Sequence, residues 1–208
     1  DEFPERGRID FIDGRIEVDM SPEDLFCHGT LKTEIVGVVH HRAKLIGGGH
    51  LFSDDARVSC PSASLSVEPD LVYLRIETIK KGAVRLMPRA GRMDKYLEIE
   101  GGPDLVVEIV SDGSVTMDTR RLPPAYFAAG VRELWLVDGR GEELSFIIHR
   151  RGQSAFEPVD CDDEGFQESN VLGSRYRLER LAEETGQWIY DLREADSRQS
   201  VTDGMQPD

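Results

Sequence analysis

The sequence predicts an α/β (α+β) fold: a mixed β-sheet core flanked by helices, opened by an N-terminal hairpin and extended by antiparallel C-terminal strands. Three observations carry this expectation. The apolar run 105–111, a proline-started segment 120–130 and a second apolar run 133–138 make a βαβ unit, whose strands lie parallel in a sheet covered on both faces. Residues 8–20 alternate Ile9, Phe11, Ile16 and Val18 around Asp13-Gly14, a strong local hairpin signal. After the turns at Asp138-Gly139 and Arg151-Gly152, the runs 144–150, 155–159 and 174–178 are antiparallel additions.

Each remaining element follows from local chemistry. Ser21-Pro22-Glu23-Asp24 offers an N-cap, a proline at the first helical position and acid in the first turn, with Gly29 able to delay the start. Leu31, Ile35, Val38, Val39, Leu45 and Ile46 then fit a 3.6-residue period until Gly47-Gly48-Gly49 stops the helix. Its polar face carries His28, Lys32, Glu34, His40 and His41. Residues 50–60 and 66–75 are two strand candidates joined by a Pro-Ser turn, and the stretch 179–196 is expected to be helical. Residues 1–196 are expected to form one domain and 197–208 a disordered tail.

Composition narrows the function classes. With 39% hydrophobic and 31% charged residues and no long apolar run, the 208-residue chain is expected to be a soluble protein away from membranes, and without a signal peptide a cytoplasmic one. Cys27, Cys60 and Cys161 are odd in number and scattered, which suggests reduced thiols rather than a disulfide framework. A net charge of −15 argues against coating nucleic acid through bulk charge. The distribution is uneven, however: Arg75, Lys80, Lys81, Arg85, Arg89, Arg92 and Lys95 face only Glu77 and Asp94 within residues 75–95. That segment is either a phosphate-contacting surface or a solvated loop.

The chemistry concentrates in two Pro-Asp strands. Glu108 interrupts the apolar run that follows Pro103-Asp104, and an ionised carboxylate in a buried strand needs a cation, a metal or a set of donors. Glu68-Pro69-Asp70 begins a second strand of the same shape. Two carboxylates on neighbouring strands can converge on a hard divalent cation such as Mg²⁺. Alternatively, Asp70 caps a turn and Glu108 pairs with an arginine.

Asp13-Gly14, Met20-Ser21-Pro22, a His-led helix at His28, Glu68-Pro69-Asp70-Leu71, the run from Pro103 through Glu108 to Ser111, Asp118, and the run from Tyr126 to Asp138 together resemble the bacterial Uma-type restriction endonuclease family, over about residues 8–182. The resemblance implies the restriction-endonuclease-like fold of the PD-(D/E)XK nucleases and metal-dependent hydrolysis of DNA. It places the metal, Mg²⁺ or Mn²⁺, on Asp70 and Glu108 with the Ile109 carbonyl, and gives His28 and Glu34 an accessory role. The family's lysine position falls on Leu122, and the neighbouring Arg120 and Arg121 are the cations left to meet the scissile phosphate. Lys80, Lys81, Arg85 and Arg89 would contact backbone phosphates. A homodimer is expected because two symmetric sites cut both strands of a duplex. The alternative is a nuclease fold that no longer cuts and instead binds nucleic acid or a protein partner.

Overall fold

Asp13 and Gly14 both adopt positive φ, 49° and 77°, and fold β1 (Arg8–Ile12) back on β2 (Arg15–Asp19) with Phe11 opposite Ile16. The computed structural model describes residues 8–19, 23–54 and 56–197. Met20, Ser21 and Pro22 of the expected helix start lie outside the described residues, as does the expected tail after residue 197. The capping that is described comes from Asp24, whose carboxylate accepts the N–H groups of Phe26 at 2.8 Å and Cys27 at 2.7 Å. A wide helical turn, Leu25–Thr30, then runs into α1 (Leu31–Leu45), which buries Leu31, Ile35, Val39 and Ala43 at four-residue spacing.

The two strand candidates 50–60 and 66–75 each prove to be two strands in different sheets. β3 (Gly49–Ser53) and β6 (Leu71–Arg75) pair with one another, whereas β4 (Arg57–Cys60) and β5 (Leu65–Val67) pair in a second sheet. The chain leaves one sheet at Asp54, held at φ 58°, and returns through Pro69, which has no N–H to give a ladder. Apolar alternation cannot reveal such a crossing, because both halves bury residues. The basic segment becomes α2 (Ile76–Lys80) and a hairpin of β7 (Val84–Arg89) with β8 (Arg92–Gly101).

The βαβ unit is present as expected. β9 (Leu105–Ile109) leads through a wide turn at Met117–Arg121 into α3 (Leu122–Ala129), which Gly130 closes at φ 96°, and β10 (Glu133–Asp138) lies parallel to β9. β11 (Ser145–Arg151) and β12 (Phe156–Pro158) extend that sheet in the order β12-β11-β10-β9-β6-β3. The other six-stranded sheet runs β2-β1-β5-β4-β8-β7.

The expected helix over 179–196 is overturned. β13 (Gln167–Ser169), β14 (Ser174–Ala182) and β15 (Trp188–Asp196) form an antiparallel sheet, and Gly186 turns the last hairpin at φ 84°. Tyr190 and Leu192 are buried two residues apart, the period of a strand, and they pack in one core with Leu31, Ile35 and Val39 of α1. Glu133 pins the segment between β13 and β14: its carboxylate accepts from Ser169 Oγ at 2.5 Å, Trp135 Nε1 at 2.8 Å and Asn170 N at 3.0 Å. The β9–β10 sheet is thus covered on one face by α1 and the third sheet. On the other, Leu122 and Tyr126 of α3 pack with Val106, Leu134 and Ile12. Among the described residues no helix is long and apolar enough to cross a membrane.

Candidate active site

Leu71 stands opposite Val107 in the β6–β9 ladder, so one further rung brings Asp70 level with Glu108. Asp70 Oδ2 accepts the N–H of Ile109 at 2.7 Å, which fixes the carboxylate across the gap between the strands. In an extended strand a residue's C=O points to the same edge as its N–H, so the Ile109 carbonyl faces Asp70 as well. On its other side, Asp70 Oδ1 lies 3.1 Å from Lys32 Nζ and 3.4 Å from His28 Nε2, both delivered by the α1 region. Burial alone would raise the Asp70 pKa, but His28 and Lys32 outweigh it and hold the group down at about 2. His28 is pulled down by burial and raised on balance by Asp70 and Glu23. The ligand atoms of Glu23, His28 and Asp70 lie within 4.8 Å of one another, the one such trio among the described residues.

Glu108 is fully buried. Tyr126 donates its hydroxyl to Oε1, while Oε2 has no hydrogen bond and lies 3.8 Å from Arg8 Nη2. Burial pushes the Glu108 carboxyl well above the usual range; Arg8 opposes this, and the negative charges of Asp118 and Asp70 add to it. Asp118, buried at 2% exposure, is raised by burial to about 6 although Ser114 donates to its Oδ2. Its Oδ1 has no partner. Arg8 Nε donates to Asp10 at 2.7 Å, and Arg8, Asp10, Ser114 and Asp118 line a cavity of about 250 Å³. Four buried carboxylates, Asp10, Asp70, Glu108 and Asp118, therefore meet where β1, β6, β9 and the turn before α3 come together. The cationic side chains among them are Arg8, Lys32 and, when protonated, His28. The Glu108–Arg8 contact is the arginine pairing that the sequence offered as the alternative, with the cation supplied by the first strand of the fold.

The profile of the Uma2 family, described as "Putative restriction endonuclease", matches residues 1–180. The chain belongs to that family. Among solved structures, its fold is similar to that of a protein from Anabaena variabilis ATCC 29413 described as "a putative nuclease belonging to DUF820", with a TM-score of 0.56 and 18% identity, covering 79% of this chain and 82% of that one. No curated protein matches. Family membership and the mixed sheets flanked by helices agree with the sequence expectation, and as a Uma2 protein the chain carries a restriction-endonuclease-like assignment.

The other expected site residues are distributed more widely. Glu34 accepts the N–H of Leu192 at 3.0 Å, tying α1 to β15. Arg121 donates to Glu17 and reaches the Ile12 carbonyl at 3.3 Å, while Arg120 is exposed. Leu122 is fully buried in the apolar cluster under α3. Lys80 and Lys81 lie beyond the other end of β6 from Asp70, a strand of five residues or roughly 17 Å. Arg85 pairs with Glu100, and Arg89 sits at the tip of the β7–β8 hairpin. Sequence reasoning did not single out Arg8, Asp10, Lys32, Tyr126, Asp118 or Glu23 as site residues. Tyr126 and Asp118 carried a usable signal, being polar positions within the family-like run; Arg8 and Lys32 carried none.

Proposed function

We propose that this Uma2 protein is a divalent-metal-dependent endonuclease that hydrolyses phosphodiester bonds of DNA, with Asp70 and Glu108 as the metal-holding carboxylates. The observation that carries the reading is the convergence of four buried carboxylates in which Glu108 Oε2, 3.8 Å from Arg8 Nη2, and Asp118 Oδ1 accept no hydrogen bond. Oxygen donors in a confined acidic site suit a hard cation such as Mg²⁺ or Mn²⁺. When bound, such an ion lowers the pKa of coordinated water and offsets charge on a phosphate oxygen.

The chain's own groups have distinct tasks in this reading. Asp70 is ionised at any ordinary pH, and the Ile109 carbonyl lies on the same strand edge. Tyr126 orients Glu108 through Oε1 and leaves Oε2, which accepts no hydrogen bond, as the oxygen that would hold the cation. His28, on the turn just before α1, would complete the shell, whereas Glu34, bound to Leu192, serves packing. Lys32 supplies, from a different helix, the ammonium missing at Leu122. Its pKa is raised because Asp70 and Asp54 more than offset the cost of burial, so it acts by charge on the scissile phosphate and not by taking a proton. Arg120 is free to meet phosphate, while Arg121 braces the N-terminal hairpin. Lys80, Lys81, Arg85 and Arg89 contact the DNA backbone further out. Residues 1–196 act as one cytoplasmic domain that pairs as a homodimer.

Nicking and linearisation of supercoiled plasmid with Mg²⁺ or Mn²⁺ tests the reading against Asp70→Ala and Glu108→Ala. Wild-type cleavage that either substitution abolishes is the expected result. Cleavage that survives both overturns it. Leu122, buried at the lysine position, favours a second reading, a nucleic-acid-binding module that does not cut. Cation binding without turnover by wild type would select that reading.

A further inference from the structure

A second cavity, of about 440 Å³, opens at the end of β6 remote from Asp70. Its wall includes Arg42, Arg75, Lys81 and Arg132 and one carboxylate, Glu77, in a chain whose net charge is −15. This local excess of positive charge is fixed by the fold. Arg42 Nε and Nη2 donate to the carbonyls of Leu172 and Gly173 at 2.9 and 2.7 Å, with Glu194 Oε1 3.4 Å from the same Nε, and Arg75 Nη2 donates to those of Asn170 and Val171. Arg132 Nη1 lies 3.2 Å from the buried Asp104. Each guanidinium carries five N–H donors and spends only one or two of its nitrogens on these anchors. The heads are held in place with donors to spare. Lys81 makes no ion pair among the described residues.

Tyr73 supplies the independent observation. It belongs to the same wall, is fully buried, and its hydroxyl has no hydrogen-bond partner among the described residues. A buried hydroxyl left unbonded costs about 1–3 kcal/mol, and a ligand that accepts its hydrogen bond removes that cost. Gly49 has no Cβ where one would come within 2.5 Å of Tyr73 Cε2, so the phenol packs directly against the β3 backbone.

We infer that this cavity is a phosphate-binding site, taking a tetrahedral dianion from the spare donors of Arg42, Arg75 and Arg132, the Lys81 ammonium and the Tyr73 hydroxyl. Forked guanidinium donors and a mobile ammonium are the chemistry that recognises phosphate oxygens. The phosphate is either free in a small molecule or the terminal phosphate of a nucleic-acid strand. The site stands apart from the carboxylate cluster, and the inference does not rest on cleavage there.

Isothermal titration of the full chain with inorganic phosphate, then with a short oligonucleotide bearing or lacking a 5′-phosphate, tests it. Wild type should bind phosphate at one site per chain. Lys81→Ala, on an exposed position, should weaken it about tenfold. Tyr73→Phe should weaken it too while leaving Tm unchanged or raised, because it deletes a hydroxyl that is unbonded without ligand. Affinity that depends on the 5′-phosphate and is lost in Lys81→Ala identifies a strand terminus; binding of inorganic phosphate with no such dependence identifies a free small phosphate. Absence of phosphate binding at millimolar concentration, or binding equal in wild type and both variants, overturns the inference.

Discussion

Lys32 Nζ lies 3.1 Å from Asp70 Oδ1, and it is the ammonium that compensates a carboxylate buried at 5% exposure. Removing the ammonium leaves the buried carboxylate with only His28 and the Ile109 N–H, at a cost of about 3 kcal/mol. Lys32→Met is therefore expected to lower unfolding free energy by roughly that amount in urea denaturation, and to abolish metal-dependent cleavage. Lys32→Arg, which keeps the charge, should recover most of the stability.

Tyr126→Phe removes the donor to Glu108 Oε1 and leaves a fully buried carboxyl with neither oxygen hydrogen-bonded. The expected loss is about 1–3 kcal/mol by chemical denaturation. Mg²⁺ is expected to raise the Tm of both this variant and wild type, and Glu108→Gln should lose most of that shift.

Asp118 and Asp70 should control stability in separate pH windows. Asp118 sits at about 6 against an ordinary 3.8, so the folded state holds a proton that the unfolded chain has released between those values. Stability from this group is full below pH about 4 and is lost as pH rises through about 6, a change of up to roughly 3 kcal/mol. Asp70 runs the other way: held at about 2, it contributes above 3.8 and its contribution disappears as pH falls toward 2. Denaturation midpoints measured from pH 3 to 7 should show the rise on acidification flattened in Asp118→Asn, and the loss at the acid end flattened in Asp70→Asn.

Leu122→Lys, which puts a lysine where the family resemblance led one to expect it, places an ammonium in the cluster of Ile12, Val106, Tyr126 and Leu134. Burying a charge among apolar side chains is costly, and the expected outcome is a Tm well below wild type without a gain in plasmid cleavage. Cleavage above the wild-type rate would show instead that the new ammonium reaches Glu108.

The parts of the fold legible beforehand are those coded by neighbours in sequence. Asp13-Gly14 specifies its turn through two residues that tolerate positive φ, and the strand–helix–strand order forces β9 and β10 to lie parallel. The crossing at Asp54 and Pro69 and the hairpin of β14 with β15 are tertiary outcomes. In the latter, Glu and Arg residues with good helix propensity are overruled by burial of Tyr190 and Leu192 against α1. For the site, Asp70 and Glu108 stood out because acids are rare in apolar strands. Arg8 and Lys32 did not, because nothing local distinguishes an arginine or lysine that finds its acid across 100 or 38 positions of chain.

The carboxylate cluster draws on β1, the α1 region, the return at Pro69, β9 and α3, so none of its binding partners is supplied by a single contiguous segment. Contacts between positions far apart in the chain form late, after loop closure has been offset by local structure. A nascent chain that has emerged only as far as β6 holds Asp70 without Glu108, and one that ends before α3 holds Glu108 without Tyr126. The carboxylate arrangement comes into being only once both sheets have docked, so under the proposed reading an unfinished polypeptide holds no complete site.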